Sequence, residues 1–171
     1  MSTRTRNFQP VKYAANRHSI TGLLAVAAVA GMVVSRKAGA TDELELANGK
    51  AGFFLDRDVV ANNAALKALI DANELRPNKD GFEYPYVAGS AATAEDFAEV
   101  WIEGTALDSS MDANTVLRSA VTTVNGKIAE LTDSETQEAI GIVIDKIDDA
   151  NGAGKRFLIE IRRAPINVPT P

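Results

Sequence analysis

The feature that most constrains this chain is a turn used twice: Asn48-Gly49-Lys50 and Asn125-Gly126-Lys127, each set between short runs that read as strands. Asn-Gly is the pair favoured in two-residue hairpin turns, because both positions there take positive φ. Before the first turn, Glu43-Leu44-Glu45-Leu46 alternates at the strand period of two, and Ala51 to Asp56 returns from it as a second strand. The correspondence extends outward. Met32-Val33-Val34, the first turn and Gly52-Phe53-Phe54-Leu55-Asp56-Arg57 follow the same order as Thr115-Val116-Leu117, the second turn and Gly141-Ile142-Val143-Ile144-Asp145-Lys146. The expectation is a mainly β fold, a small barrel or sandwich from a duplicated hairpin unit whose halves cover each other's apolar faces.

Other segments fill in this plan. Strands are expected over Met32–Ser35, Phe97–Glu103, Val116–Val124, Lys127–Leu131, Ala139–Ile147 and Arg156–Arg162, the last alternating Phe157, Ile159 and Ile161 with Leu158, Glu160 and Arg162. One α-helix is expected over 62–74, where Asn62-Asn63 can cap and Ala65, Leu66, Leu69 and Ile70 lie at helical spacing. Residues 75–94, with Pro77, Gly81, Pro85 and Gly89, read as a long loop. This divides the chain into a basic, extended N-terminal arm over 1–19, a β-rich domain over 20–163 and a Pro-rich tail over 164–171.

Charge is distributed unevenly. Residues 1–41 hold six basic side chains and no acid, whereas all 23 acids and the other 12 of the 18 basic residues follow. An arm and a body of opposite sign suit different surroundings. The arm is therefore expected to order against a partner, with Phe8, Val11 and Tyr13 giving apolar burial and Arg4, Arg6, Lys12 and Arg17 pairing with a neighbour's acids. An acidic body argues against nucleic acid as that partner.

The apolar run over residues 20–34 raises a rival reading, a secreted or periplasmic binding domain with residues 1–40 as its signal peptide. Against it, Arg36-Lys37 follows the run at once and Gly22 and Gly31 dilute it. A membrane span would need about 20 apolar residues. A short Ala-rich helix, or two buried strands separated by Gly31, accounts for the run better.

Residues suited to catalysis are few. Without cysteine there are no thiolate nucleophiles, disulfides or zinc–thiolate sites. His18 is the single histidine and has no partner that the sequence identifies. Asp56, Asp58, Asp145, Asp148 and Asp149 lack the ordered spacing of a calcium loop. Gly152-Ala153-Gly154-Lys155-Arg156 fails as a phosphate loop, because Asp149 stands where its first glycine belongs and Arg156 where its hydroxyl belongs. A non-enzymatic protein without cofactor, metal or small-molecule substrate is expected.

Several motifs together resemble the capsid decoration (cement) proteins of tailed bacteriophages. They are Ala47 to Asp58, Glu99-Val100-Trp101-Ile102-Glu103-Gly104, Val124 to Ala129, Gly141 to Ile144 and Arg156 to Ile161, within residues 28–163. The resemblance implies a β-rich domain on the outer surface of the virion's capsid, bound to the major capsid protein and self-associated, with a trimer favoured. It brings no catalytic residues. A tail or spike component is the alternative among structural proteins.

Overall fold

The computed structural model describes residues 8–55, 86, 88–149 and 154–162. Eleven strands are found among them: β1 (Phe8–Tyr13), β2 (Ser19–Leu24), β3 (Val33–Arg36), β4 (Glu43–Leu46), β5 (Phe53–Leu55), β6 (Ala91–Glu95), β7 (Phe97–Glu103), β8 (Ala120–Val124), β9 (Lys127–Glu130), β10 (Gly141–Asp149) and β11 (Gly154–Ile161). A 3-10 turn, Gly104–Ala106, follows β7. The fold is mainly β, as the alternating runs imply. The helix expected over 62–74 lies outside the described residues.

Two sheets share one core. Five strands close a barrel in the order β2-β4-β3-β5-β6, and six form an open sheet in the order β1-β7-β11-β10-β8-β9. Every barrel pairing is antiparallel except β2 with β4. Along β2 and β6, Leu24, Ala92 and Ala94 turn inward and are buried, while Thr21, Leu23, Ala91 and Thr93 face out. Small interior side chains suit a barrel of few strands, whose lumen must be filled without overpacking. The chain then passes from β6 through the buried Asp96 into β7. At this junction Phe54 of the barrel meets Phe8 and Phe97 of the sheet, with ring centroids 5.9 and 6.3 Å away.

The open sheet protects both of its edges. On β1, Pro10 lacks an amide, Lys12 carries charge, and the register with β7 shifts on either side of Lys12. All three features discourage a further strand from adding there. On β9, residues 107–110 cover the edge: the Asp108 amide donates to Ile128 O at 2.8 Å, and the Glu130 amide donates to Ser110 Oγ at 3.1 Å.

Several expectations need correction. The extended arm over 1–19 is, from Phe8, part of the body, because β1 pairs with β7 from Phe8↔Ile102 to Tyr13↔Phe97 and Phe8 is fully buried. The loop expected to reach residue 94 ends earlier, since Ala91–Glu95 is a barrel strand bonded to β2 and β5. The duplicated hairpin exists only once. β8 and β9 pair across Asn125-Gly126, from Val124↔Lys127 onward. By contrast, β4 and β5 do not pair across Asn48-Gly49 but lie on opposite sides of β3. Of the two accounts of residues 20–34, the pair of strands holds and the Ala-rich helix does not: the run contributes β2, of which only Leu24 is fully buried, and the start of β3, on either side of Gly31 at φ 87°. Removing residues 1–40 as a leader would therefore take three strands from the two sheets.

Candidate interaction surface

The residues named for partner binding divide into those that build the sheet and those that remain available. Phe8 belongs to the first group, packed edge-on to Phe97 at 5.2 Å. Tyr13 leans on the same Phe97 ring at 5.1 Å, and its own ring carries the Arg17 guanidinium at 4.4 Å. Arg17 also pairs with the Glu95 carboxylate of β6, so it fastens the link between β1 and β2 to the barrel. Lys12 lies 3.8 Å from Glu99 and is mostly exposed. Val11 and Tyr13 are about half exposed, which leaves the outer side of β1 open. Arg4 and Arg6 lie outside the described residues.

The two Asn-Gly turns meet. The Gly49 amide donates to Thr123 O and the Gly126 amide to Ala47 O, both at 2.7 Å, and the Asn125 amide donates to Asn48 Oδ1 at 3.3 Å. Thr123 Oγ1 reinforces this by donating to Lys50 O at 2.8 Å. Asn125 and Gly126 have φ of 48° and 77°, and Gly49 has φ 64°. These turns join barrel to sheet.

Other features of the surface were not legible beforehand. Val116 and Leu117 are 63% and 52% exposed at the tip of a turn closed by the Ser119 amide on Val116 O at 3.2 Å. Arg118, at φ 73°, occupies the left-handed region within it, and its amide is held by Val143 O at 2.7 Å. Lys146 Nζ braces the preceding segment by donating to Ala113 O and Thr115 O at 2.9 and 3.1 Å. On the outer face of the sheet, Arg156 lies over Trp101 at 5.3 Å. It donates to Gln9 Oε1 at 2.9 Å and places its Nε 2.9 Å from Glu103 Oε2. Only the pairing of β1, β7 and β11 brings these four residues together.

A cleft of roughly 270 Å³ opens where barrel and sheet meet, walled chiefly by Phe53, Phe54, Phe97, Ile140 and Ile161, with Asp96 and Arg162 as its charged members. It presents no nucleophile beside a base. His18 is exposed, and its carbonyl accepts from the Asp96 amide at 3.1 Å. Asp145 is exposed, Asp148 and Asp149 end β10, and Asp56 and Asp58 lie outside the described residues. Among the described residues no three His, Cys, Asp or Glu gather as metal ligands, and no helix is long and apolar enough to cross a membrane.

Four described charged groups titrate away from their ordinary values. The Lys50 ammonium, bonded to Glu45 at 2.8 Å, lowers that carboxyl's pKa. The Glu43 carboxylate raises the pKa of Lys37. Asp112 is lowered chiefly by the Asn114 amide, and Asp133 chiefly by the Thr136 hydroxyl.

No protein-family model matches the sequence, and no curated protein matches it. Among solved structures, the chain is similar in fold to the N base of the head fiber gp8.5 in bacteriophage phi29. The TM-score is 0.51 at 11% sequence identity, over 90% of this chain and 100% of that one.

Proposed function

We propose that this protein is a structural component of a phage virion that binds the outside of the head shell as a decoration or cement protein. The observation that carries the reading is the likeness in fold to a head fiber base, which runs the whole length of that base. The motif resemblance to decoration proteins points to the same class. The partner is the major capsid protein, and the protein self-associates on the shell, with a trimer favoured. Attachment uses the exposed side of β1, with Val11, Lys12 and Tyr13, together with Arg4 and Arg6 before it; Phe8 serves by seating the strand. Because the neighbour is a fiber base, a base that roots a longer appendage is the second reading within the same class.

Pelleting tests the attachment. Purified full-length protein is incubated with shells that lack it, taken from the source that carries the gene, and spun down at rising salt. Co-pelleting of the wild-type chain is expected, with loss on Tyr13→Asp. Screening of the basic residues should weaken binding as salt rises. A chain that stays in the supernatant at low salt would overturn the reading.

A further inference from the structure

The centre of the barrel's outer face at β2 and β6, from Thr21 to Leu23 and from Ala91 to Thr93, carries no charge, although 24% of the chain's residues are charged. Thr21 and Leu23 on β2 lie opposite Thr93 and Ala91 on β6, and the Thr21 and Thr93 hydroxyls are 3.3 Å apart. The face continues through exposed Ala25–Ala27 and Ala88, because the Gly89 amide donates to Leu24 O at 2.8 Å and ties that loop to the strand end. Leu23 and Val26 are its large apolar members, 47% and 46% exposed. Two stretches distant in sequence, residues 19–35 and 88–94, hold no Asp, Glu, Lys or Arg, and the β2–β6 pairing from Ile20↔Ala94 to Leu23↔Ala91 joins them.

Of the charges around this face, Glu43 and Glu95 are paired within the chain, while the exposed Asp42 borders it beside Leu23, whose amide donates to Asp42 O at 2.6 Å. Glu43, the register partner of Leu23 on β4, is bonded to Lys37. Glu95, opposite Ser19 at the other end, is bonded to Arg17. The face therefore has an apolar and hydroxyl centre with its charges confined to the rim, and such a depletion of charge at the centre characterises protein contact surfaces.

We propose that this face is where one copy of the chain meets another, Leu23 against the Leu23 region of its neighbour. This rests on the self-association included in the reading above and gives it a surface. The occupant follows from charge. Each copy carries net charge −5, so two copies repel over most of their surface and approach without that penalty only where neither presents charge. An anionic lipid surface would select basic residues, and this face has none. The small, flat Thr and Ala side chains also suit close contact between identical surfaces, as symmetric association requires.

Sedimentation velocity of the full chain over a range of concentrations tests this. The wild-type protein should sediment at two or three times the 18.2 kDa monomer mass. Leu23→Glu should return it to monomer, with association weakened roughly a hundredfold, because like charges would be forced together. The melting midpoint checks that Leu23→Glu is folded; should it fall, Val26→Glu in the adjacent loop gives the same reading. Leu23→Lys should also be monomeric, and mixing it with Leu23→Glu should restore the larger species. A wild-type monomer at all concentrations, an unchanged oligomer in both glutamate variants, or no recovery on mixing would each overturn the proposal. Pelleting with shells separates this from the broader reading, since a monomeric Leu23→Glu that still binds shells leaves attachment standing.

Discussion

Gly49 and Gly126 fasten the barrel to the sheet by exchanging amides: Gly49 donates to Thr123 O beside the second turn, and Gly126 donates to Ala47 O beside the first. The two turns that look like copies of one hairpin act as two halves of a clasp. A Cβ on Gly126 would stand 2.8 Å from Leu46 Cδ2 and 3.1 Å from Val33 O, whereas one on Gly39, at the similar φ of 78°, would meet nothing within 4 Å.

This contrast yields the first prediction. Gly39→Ala should cost about 1 kcal/mol from backbone strain alone. Gly126→Ala should cost roughly 3 kcal/mol because crowding is added to the strain, and Gly126→Val more. Denaturant midpoints of the three variants check the order, and equal losses at Gly39 and Gly126 would remove the crowding from the account.

The second prediction concerns β1. Phe8→Ala should destabilise by about 3–5 kcal/mol, because it empties the site where the two sheets' rings meet. Deleting residues 1–19 should unfold the protein rather than free a tail, while deleting 1–7 leaves β1 in place. Far-ultraviolet circular dichroism of the two truncations separates these outcomes.

What the sequence shows and hides follows from where each signal resides. β4 and β7 are found at their full observed extents, because Glu43–Leu46 and Phe97–Glu103 combine strand formers with a visible apolar face. β6 is hidden because its inward residues are Ala92 and Ala94, too small to register as a hydrophobic stripe. β1 is hidden because Pro10 and Lys12, which protect the edge, look like the marks of an unpaired arm. Asn48-Gly49 misleads for a different reason: its neighbours β4 and β5 are separated by β3, and no local pattern reveals an intervening strand. The uncharged barrel face has a local trace, two charge-free stretches, but only the strand register joins them.

A third prediction comes from the outer face of the sheet. Glu103 is 7% exposed and faces Arg156, which also holds Gln9 of β1. Glu103→Ala should cost about 2 kcal/mol, a fall of about 5 °C in melting midpoint, through loss of a charge-assisted contact. Gln9→Ala, which removes a neutral partner, should cost less.

A fourth prediction concerns acid. Asp133 titrates below its ordinary 3.8 when folded, because the Thr136 hydroxyl and the Glu135 amide donate to its carboxylate. A depressed folded pKa adds stability that is complete above the ordinary value and is lost as pH falls through the folded one. The stability gap between the wild type and Asp133→Ala should therefore be steady at about pH 5–7 and shrink below 3.8. Denaturant titrations at three pH values measure it, and a gap that widened in acid would contradict the assignment.

The most direct measurement of the central claim is electron cryomicroscopy of shells with and without the bound chain. The account predicts added density on the outer surface of the head that fits the barrel and six-stranded sheet, with β1 turned to the shell and the uncharged faces of adjacent copies together. Shells indistinguishable with and without the protein, or density placed only inside the head, would contradict it.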